Sequence, residues 1–384
     1  MMSGRALDFR RSNARARAGR MPLGVVPSGA GARLGCGAWP ARGLFAVALL
    51  SCLALSGCAA GGVGTPVASS FTNPLLPSGP DPWITREGDT YYYMQTLGNR
   101  IAIRRTQDVS QLAQAEEVTV WTPPETGPNA QSIWAPELHR IEGKWYIYYS
   151  AAASGHDDDD HRGVFVLENA SADPLSGLWV DRGRVNTAHP GIDGTTFAYQ
   201  GQRYFAYSPY VGADSVLRIA RMSNPWTLIG EEVTLARPDL PWERRGGRQI
   251  LEGPEFLPGP RGDLFLTYSA SACWSDDYAL GLLSAPAGSD PLDASAWTKS
   301  PRPVLAKSPE NNVYATGHNG FFTSPDGREN WIIYHANTGP DQQCTPKRSP
   351  RIQRFGWTAE GRPGFPVPAA AGTPLAPPSG SGGQ

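Results

Sequence analysis

The sequence predicts an all-β protein, a five-bladed β-propeller, and three observations lead to this fold. Sustained helical periodicity is absent from the body of the sequence, where short aromatic and β-branched runs alternate with turn clusters. These runs start about 60 residues apart, a period of three or four strands that is typical of propeller blades. Five runs share one pattern, a turn with Gly or Asp followed by a strand that ends in Tyr or Ser: GDTYYYMQT from 88, GKWYIYYSA from 143, GQRYFAYSP from 201, GDLFLTYSA from 262 and ENWIIYHAN from 329.

A targeting segment precedes this body. Arginines recur ahead of the apolar run LFAVALLSCLALSG at residues 44–57, which is too short to span a bilayer comfortably and is typical of a signal peptide. The run ends in LSGC, which resembles the bacterial lipoprotein box and predicts that Cys58 carries lipid. The alternative is an ordinary signal peptide followed by a chance cysteine. We therefore expect an exported protein, anchored by lipid to the outer membrane and facing either the periplasm or the cell surface.

These features divide the chain into four parts. Residues 1–57 are the predicted signal peptide, and 58–71 are a flexible tether rich in Gly, Ala and Ser. Residues 72–368 form the predicted propeller, and 369–384, rich in Pro, Gly and Ala, are predicted to be a disordered tail.

The composition narrows the classes of partner. The chain has 34 basic and 35 acidic residues, and only 18% of its residues are charged, so the clustered basic surface of a nucleic-acid-binding protein is not expected. With 44 Gly, 36 Pro, 12 Trp and 14 Tyr, the sequence favours an all-β protein that displays aromatic rings, as carbohydrate-binding proteins commonly do. We expect a monomer that contacts membrane through the lipid alone.

Acidic residues recur where the blades begin. If the first strand of each blade is innermost and starts at one face, the starts of these strands converge around the central axis. Buried acids are costly unless they are paired or used, and two carboxyls in different environments suit glycoside hydrolysis. The alternative is that each acid caps its own turn. The converging positions are Asp81, Glu137, Asp193, Glu252 and His318.

Five motifs in this order resemble those of glycoside hydrolase family 43, a group of five-bladed propeller enzymes that act on arabinans and xylans. The resemblance implies an inverting mechanism, with Asp81 as general base, Glu252 as general acid and Asp193 as the residue that orients the acid and tunes its pKa. The matching motifs are DPWI at 81–84, IWAPELH at 133–139, GIDGTTF at 191–197, LEGPEF at 251–256 and GHNGFF at 317–322.

Within the family, two stretches resemble the α-L-arabinofuranosidase branch: NRIAIRRTQDVSQLAQAEEVTVW from 99, and ENNVYATGHNGFFTSPDGRENWIIYHA from 310. The expected function is release of terminal α-L-arabinofuranosyl residues from plant polysaccharides or oligosaccharides. Alternatives are a β-xylosidase or an exo-galactanase of the same family, and, in another class, a surface glycan-binding propeller without catalysis.

The resemblance also implies roles for two cationic side chains. His318 is expected near the axis, where family members hold a calcium or sodium ion surrounded mostly by water; a single His is weak support for such an ion, and a polar core His is the alternative. No other cofactor is expected. Arg351 matches a position at which members place an Arg near the substrate, and Arg354 is the competing candidate.

Several aromatic and acidic side chains near the strand starts need separate roles. Trp134, Phe197 and Trp274 are candidates for stacking on a sugar ring, with Trp83 as a further one, although most aromatics in a propeller pack between blades. Glu255 is expected to face away from the site, because it lies an odd number of residues after Glu252 on one strand.

Two loops are expected on the same face as these acids. The loop GHDDDDHRG at 155–163 could bind a metal ion, but a solvated acidic rim is the preferred interpretation. Cys273 and Cys344 occupy equivalent loops of adjacent blades and are predicted to form a disulfide at the pocket rim, with two free thiols as the alternative. Long loops on this face favour a pocket and attack at chain ends.

Overall fold

The computed structural model describes residues 70–381, which form five antiparallel sheets arranged in chain order. The first strands of the sheets contact one another in a closed ring, and the fifth meets the first. This confirms the predicted five-bladed β-propeller. The predicted signal peptide, the lipidation site Cys58 and most of the predicted tether lie outside the described residues. No helix within residues 70–381 has the length and hydropathy needed to cross a bilayer.

Strand β1 (Phe71–Thr72) precedes the blades, and each blade then runs outward from the axis. Blade one contains β2 (Trp83–Glu87), β3 (Thr90–Met94), β4 (Ile101–Thr106) and β5 (Glu117–Trp121). Blade two contains β6 (Gln131–Ile141), β7 (Lys144–Ala152), β8 (Arg162–Asn169) and β9 (Val180–Arg184). Blade three contains β10 (Gly191–Tyr199), β11 (Gln202–Val211), β12 (Asp214–Ser215), β13 (Leu217–Asn224) and β14 (Thr227–Ala236).

The last two blades repeat this order, and the described helices are all short 3₁₀ turns. Blade four contains β15 (Leu251–Pro258), β16 (Leu264–Ala270), β17 (Ala279–Ala285) and β18 (Thr298–Lys299). Blade five contains β19 (Tyr314–Thr323), β20 (Asn330–Asn337), β21 (Ser349–Trp357) and β22 (Pro363–Gly364), and β23 (Pro374–Leu375) follows. The 3₁₀ turns are Val109–Gln114, Asp159–His161, Pro241–Gly247, Ala294–Ala296 and Pro309–Asn311.

Apolar side chains fill the spaces between neighbouring blades. Trp145 of blade two, for example, is fully buried against Tyr92 of blade one, with ring centroids 5.3 Å apart. Each such large apolar side chain contributes about 1.5–3 kcal/mol by leaving water. Most aromatic side chains within residues 70–381 are buried in the core, and few remain for ligand contact.

The C-terminal segment differs from the predicted disordered tail. Strand β23 pairs with β1, and the backbone N–H of Ser379 donates a 3.0 Å hydrogen bond to Glu329 of blade five. The carbonyl of Ala369 accepts a hydrogen bond from Arg351. The prediction of disorder is wrong for residues 369–381, because backbone pairing and buried polar partners offset the low apolar content from which disorder was predicted.

The start of every first strand adopts the same unusual conformation. An equivalent residue of each blade has a positive φ, between 43° and 55°, which turns the backbone sharply at the axis: Asp81, Ala135, Asp193, Gly253 and His318. The predicted set placed Glu137 and Glu252 in this register. The structure corrects both positions, because Ala135 and Gly253 hold the equivalent places.

Four of these five N–H groups donate a hydrogen bond to a side chain on, or just after, the second strand of the preceding blade. Ala135 donates to Thr96, Asp193 to Ser150, His318 to Ser269 and Asp81 to His335, over 2.7–3.1 Å. Blade four departs from this pattern, since the N–H of Gly253 donates instead to the carboxylate of Asp193. The repeated contact fixes the start of each first strand, and with it the side chains that surround the axis.

Candidate active site

A pocket of about 670 Å³ opens at the face where the first strands begin. Its floor holds five ionisable side chains contributed by four blades: Asp81, Asp193, Glu252, His318 and Arg348. The structure thus brings together the three carboxylates and the histidine that the sequence singled out, and it adds an arginine that the sequence analysis missed. The chemistry of the pocket depends on how these charges balance.

Asp81 is the most strongly stabilised anion of the group. Its Oδ1 lies 3.0 Å from Nη1 of Arg348, and its Oδ2 accepts a 2.7 Å hydrogen bond from Thr96. Burial raises the pKa of Asp81, but the charges of Arg348 and His318 and the hydrogen bond from Thr96 together lower it well below its ordinary value. Asp81 is therefore ionised at any physiological pH and can only accept a proton.

Asp193 and Glu252 form the opposite electrostatic environment. Burial, opposed by the charge of His318 and reinforced by the charge of Glu252, raises the pKa of Asp193 to about 7. Burial also raises the pKa of Glu252, although a 2.7 Å hydrogen bond from Tyr278 opposes the increase. Because the two carboxyls repel each other when both are ionised, the pair retains one proton near neutral pH. The pocket thus contains one permanent carboxylate and one proton-carrying pair.

Asp193 is anchored next to the acid by the backbone. Its Oδ2 accepts a 3.1 Å hydrogen bond from the N–H of Gly253, the residue that directly follows Glu252. Ser208, at the position that would accept this N–H in the other blades, is buried and its hydroxyl has no partner within residues 70–381. The carboxylate of Asp193 accepts the N–H of blade four that a serine would accept in the equivalent contact. The hydrogen bond to Gly253 therefore fixes Asp193 beside Glu252.

His318 lies between the carboxylates. Its Nδ1 is 3.4 Å from Asp81 and 3.9 Å from Asp193. Burial lowers the pKa of His318, but Asp81, Asp193 and Glu252 outweigh this effect and raise it overall. These surroundings fit an imidazolium, whereas calcium and sodium prefer an array of oxygen ligands. An axial ion stays a prediction, and no chemical step below depends on it.

The predicted substrate arginine is a different residue. Arg351 is fully buried, donates to the carbonyl of Ala369 and does not line the pocket, so this prediction is wrong. Its competitor Arg354 also lies elsewhere, paired at 2.9 Å with Glu329. Arg348 occupies the pocket because it ends the loop that enters β21 from the active face, whereas Arg351 lies inside the strand, between blades.

The predicted aromatic contacts divide into two groups. Trp134 and Trp274 line the pocket, and the residue Trp274 is 45% exposed. Phe197 does not line the pocket; it stacks on Phe256 with ring centroids 4.0 Å apart and belongs to the core. The prediction of a substrate contact by Phe197 is therefore wrong.

Trp134 also has less free surface than predicted. The guanidinium of Arg162 lies 3.6 Å from the centre of its ring and covers one face. Trp83, the further aromatic candidate, lies outside the lining and donates its indole N–H to the carbonyl of Leu138. Trp274 is consequently the aromatic side chain with the most surface available to a ligand.

Two inter-blade contacts narrow the mouth of the pocket. Cys273 and Cys344 form a disulfide, with sulfurs 2.11 Å apart, that joins the rim loops of blades four and five. Asp159 of blade two pairs with Arg248 ahead of blade four, and the Arg248 guanidinium lies over the Tyr210 ring of blade three. Both contacts involve residues of the pocket wall, so the site is a pocket and not an open groove.

The acidic loop at 155–163 forms part of this rim. Its Asp157 pairs with Arg162, which lines the pocket, and Asp159 pairs with Arg248. His156, Asp158 and His161 are exposed and cluster closely enough to share a metal ion. Through the pairs that Asp157 and Asp159 form, the loop makes an ion-paired part of the pocket wall.

Glu137 and Glu255 lie outside the pocket lining. Glu137 contacts Nε2 of His139 at 2.9 Å inside the propeller, the kind of internal hydrogen bonding that the sequence analysis preferred for it. Burial, with the charge of Glu137 next, raises the pKa of Glu255 well above its ordinary value. The two side chains therefore form a buried carboxyl pair beside the catalytic cluster and not within it.

This geometry agrees with the sequence comparisons. Residues 71–363 match the sequence profile of the glycosyl hydrolases family 43. The chain belongs to this family. Among solved structures, the family-43 chain resembles an α-L-arabinofuranosidase from Lactobacillus brevis with a TM-score of 0.74 and 32% identity, over 78% of this chain and 98% of that one.

Characterised relatives carry related names. The chain is 39% identical, over 80% of its length, to an extracellular exo-α-(1→5)-L-arabinofuranosidase of Streptomyces avermitilis, and it spans 65% of that relative. It is also 39% identical to an enzyme of the same name from Streptomyces chartreusis, over 74% of this chain and 90% of the relative. An α-L-arabinofuranosidase of Humicola insolens is 35% identical over 80% of this chain and 66% of its own length.

Proposed function

We propose that this family-43 protein is an inverting glycoside hydrolase that releases terminal α-L-arabinofuranosyl residues from arabinose-containing glycans. The observation that carries the proposal is the division of charge in the pocket, where Asp81 is held ionised and the Asp193–Glu252 pair retains a proton. An inverting glycosidase needs this combination of one base and one acid. The names of the relatives supply the sugar.

Asp81 is the proposed general base. Its carboxylate takes a proton from a water molecule as that water attacks the anomeric carbon. Arg348 and Thr96 hold the carboxylate by both oxygens, so its orientation is set before the substrate arrives. Holding it in this way avoids reorganisation during the reaction.

Glu252 is the proposed general acid, and it gives its proton to the oxygen of the departing sugar. Asp193 raises the proton affinity of Glu252 by repulsion and keeps its place through the N–H of Gly253. His318, between the carboxylates, balances part of their charge. Release of the leaving group and attack of water occur on opposite sides of the ring, which inverts the anomeric centre.

The narrowed mouth supports attack at chain ends. The Cys273–Cys344 disulfide and the Asp159–Arg248 pair close two sides of the pocket, so a terminal sugar enters more readily than an internal one. This agrees with the exo action named for the Streptomyces relatives. Trp274 and the uncovered face of Trp134 are the proposed stacking surfaces for the sugar.

We further propose that the protein is exported, since two relatives are named extracellular. Lipid attachment at Cys58 is part of this proposal and rests on the LSGC motif. Replacing Cys58 with Ser and following membrane association in cell fractions tests it: the protein should become soluble. Unchanged membrane association of the variant would contradict the lipid anchor.

The activity is tested with residues 59–384 on 4-nitrophenyl α-L-arabinofuranoside and its β-D-xyloside and β-D-galactoside counterparts. Release from the arabinoside is expected, with a loss of at least about a hundredfold in Glu252→Gln. Asp160→Asn, an exposed change on the rim loop, is the control and should retain full activity. Preference for another glycoside would correct the sugar. No turnover of these or of arabinan would favour a glycan-binding propeller.

A further inference from the structure

Besides the Gly253 contact already described, a second contact in the repeated ring of hydrogen bonds departs from the hydroxyl acceptor that three blades share. Thr96, Ser150 and Ser269 accept the first-strand N–H groups through hydroxyls, but the N–H of Asp81 is accepted by the imidazole of His335. A hydroxyl satisfies this N–H elsewhere in the same ring. His335, which takes the place of that hydroxyl in blade five, is larger than Ser or Thr. Its presence beside Asp81 therefore needs a separate explanation.

His335 is buried, and its protonation is fixed by its contacts. Nδ1 accepts the N–H of Asp81 at 3.1 Å, so a neutral ring carries its proton on Nε2. Nε2 has no hydrogen-bond partner within the part of the chain that the structure describes. Burial, with Arg348 next, lowers the pKa of His335 well below its ordinary value. The ring is therefore a neutral, permanently placed acceptor for the backbone of Asp81.

The ring of His335 stacks on Tyr278. Their planes differ by 6° and their centroids lie 5.7 Å apart, and both side chains are fully buried. The hydroxyl of Tyr278 donates a 2.7 Å hydrogen bond to Oε1 of Glu252. The two stacked rings thus connect the backbone of Asp81 with the carboxyl of Glu252, and neither ring lines the pocket.

The neighbouring chain is shaped to admit this stack. A Cβ atom on Gly317 would lie 2.2 Å from the ring of Tyr278, so any other residue there would displace the tyrosine. Gly317 directly precedes His318, whose N–H is held by Ser269. The space that Gly317 leaves is filled by the ring that reaches Glu252.

We propose that Tyr278 and His335 are a pair of positioning residues that holds the carboxyl of Glu252 in place relative to Asp81. The inference rests on the proposed function, because it assigns the two carboxyls their roles as acid and base. Neither ring touches the sugar. The pair acts through the residues it holds, by orienting one oxygen of Glu252 and fixing the backbone of Asp81.

Tyr278 also affects the proton on Glu252. A hydrogen bond from a hydroxyl is stronger to a carboxylate than to a protonated carboxyl. Tyr278 therefore limits the increase in the pKa of Glu252 that burial causes, and it stabilises the carboxylate that forms once the proton has moved to the leaving sugar. Removing the hydroxyl should make Glu252 hold its proton too tightly.

Tyr278→Phe is the test, since it keeps the stack and removes the hydroxyl. The expected result is a tenfold to hundredfold loss of kcat, little change in KM, and a shift of the descending limb of the kcat–pH profile to higher pH. Tyr334→Phe is the matched control, because Tyr334 is as fully buried as Tyr278 and directly precedes His335 in blade five, but its hydroxyl donates to Gln353. This control should leave the pH profile unchanged.

Two further variants separate positioning from general stability. Site-specific 3,5-difluorotyrosine at position 278 keeps the shape and makes a stronger donor, so the descending limb should move to lower pH. His335→Ser restores the hydroxyl found in the other blades and removes the stacked ring. If the rings act as one unit, the double variant of Tyr278→Phe and His335→Ser should lose less kcat than the product of the two separate losses.

The pair can be tested without turnover. With ¹³C-labelled glutamate, the Glu252 carboxyl resonance is assigned by its loss in Glu252→Gln and titrated in wild type and Tyr278→Phe. A higher pKa in Tyr278→Phe supports the pair even if no glycoside is cleaved, which would overturn the proposed function alone. An unchanged titration and an unchanged kcat–pH profile would overturn the pair.

Discussion

Nη1 of Arg348 lies 3.0 Å from Oδ1 of Asp81, and both residues are buried. Arg348 comes from the loop ahead of the last long strand, while Asp81 begins the first blade. Their contact therefore joins the last blade to the first within the candidate active site, in addition to the contact between the first strands of these two blades. A buried cation at this distance is the main reason that Asp81 remains a carboxylate despite its burial.

Arg348→Gln should raise the pKa of Asp81, because it removes the largest of the effects that lower it. A general base works only above its own pKa, so the ascending limb of the kcat/KM–pH profile should move to higher pH by about 1–3 units. The profile between pH 3 and 9 is the measurement. Arg354→Gln removes a guanidinium that lies on the strand following Arg348 and pairs with Glu329, and it should leave the limb in place. An unshifted limb in Arg348→Gln would remove Arg348 from this role.

Asp193→Asn should shift the other side of the profile. The amide oxygen can still accept the N–H of Gly253, but the charge that repels the Glu252 carboxylate is gone. The upper apparent pKa belongs to the Asp193–Glu252 pair, so it should fall, and the descending limb should move to lower pH. We expect a kcat loss of about tenfold or more at neutral pH. A descending limb that stays at the wild-type pH would show that Asp193 does not tune the acid.

Replacing Cys273 and Cys344 with Ser together should lower stability and weaken binding. The disulfide closes a loop with a sequence separation of 71 residues, and loss of such a crosslink costs about 2–4 kcal/mol. Because both residues line the pocket wall, KM should increase more than kcat falls. Thermal denaturation and steady-state kinetics at a temperature below both transitions separate the two effects. An unchanged KM would mean that the rim does not depend on the crosslink.

Trp274→Ala should increase KM several-fold and leave the melting temperature close to that of wild type, because Trp274 is 45% exposed and lines the pocket. Phe197→Ala should do the opposite. Phe197 packs on Phe256, and truncation of a buried Phe costs about 3–5 kcal/mol. Kinetics and thermal melts on both variants test the division between pocket and core. A raised KM in Phe197→Ala, measured on folded protein, would reverse it.

Much of the fold and the charged centre of the site could be predicted from the sequence, because both depend on repetition. Five copies of one hairpin pattern require a ring, and a ring brings equivalent strand starts to one axis. Asp81, Asp193 and His318 are equivalent residues of three blades, and all three line the pocket. Glu252 lies one residue before Gly253, the equivalent position of its blade, and its side chain also lines the pocket.

Phe197, one of the misassigned side chains, follows a β-bulge on its strand. The pairing of β10 shifts between Ile192 and Thr195, so alternation along the strand does not carry through to Phe197. Arg348 was missed for a related reason. It lies in a loop whose path depends on the disulfide and on neighbouring blades, and no periodicity in the sequence reports where such a loop turns its side chains.

The account makes one stereochemical claim that a single measurement can test. Proton NMR during rapid hydrolysis of an α-L-arabinofuranoside identifies the anomer of the sugar that is released first, before mutarotation mixes the two forms. Attack by a water molecule that Asp81 activates, with Glu252 protonating the leaving group from the opposite side, predicts β-L-arabinofuranose as the first product. First release of the α-anomer would require a covalent intermediate and would contradict the roles assigned to Asp81 and Glu252.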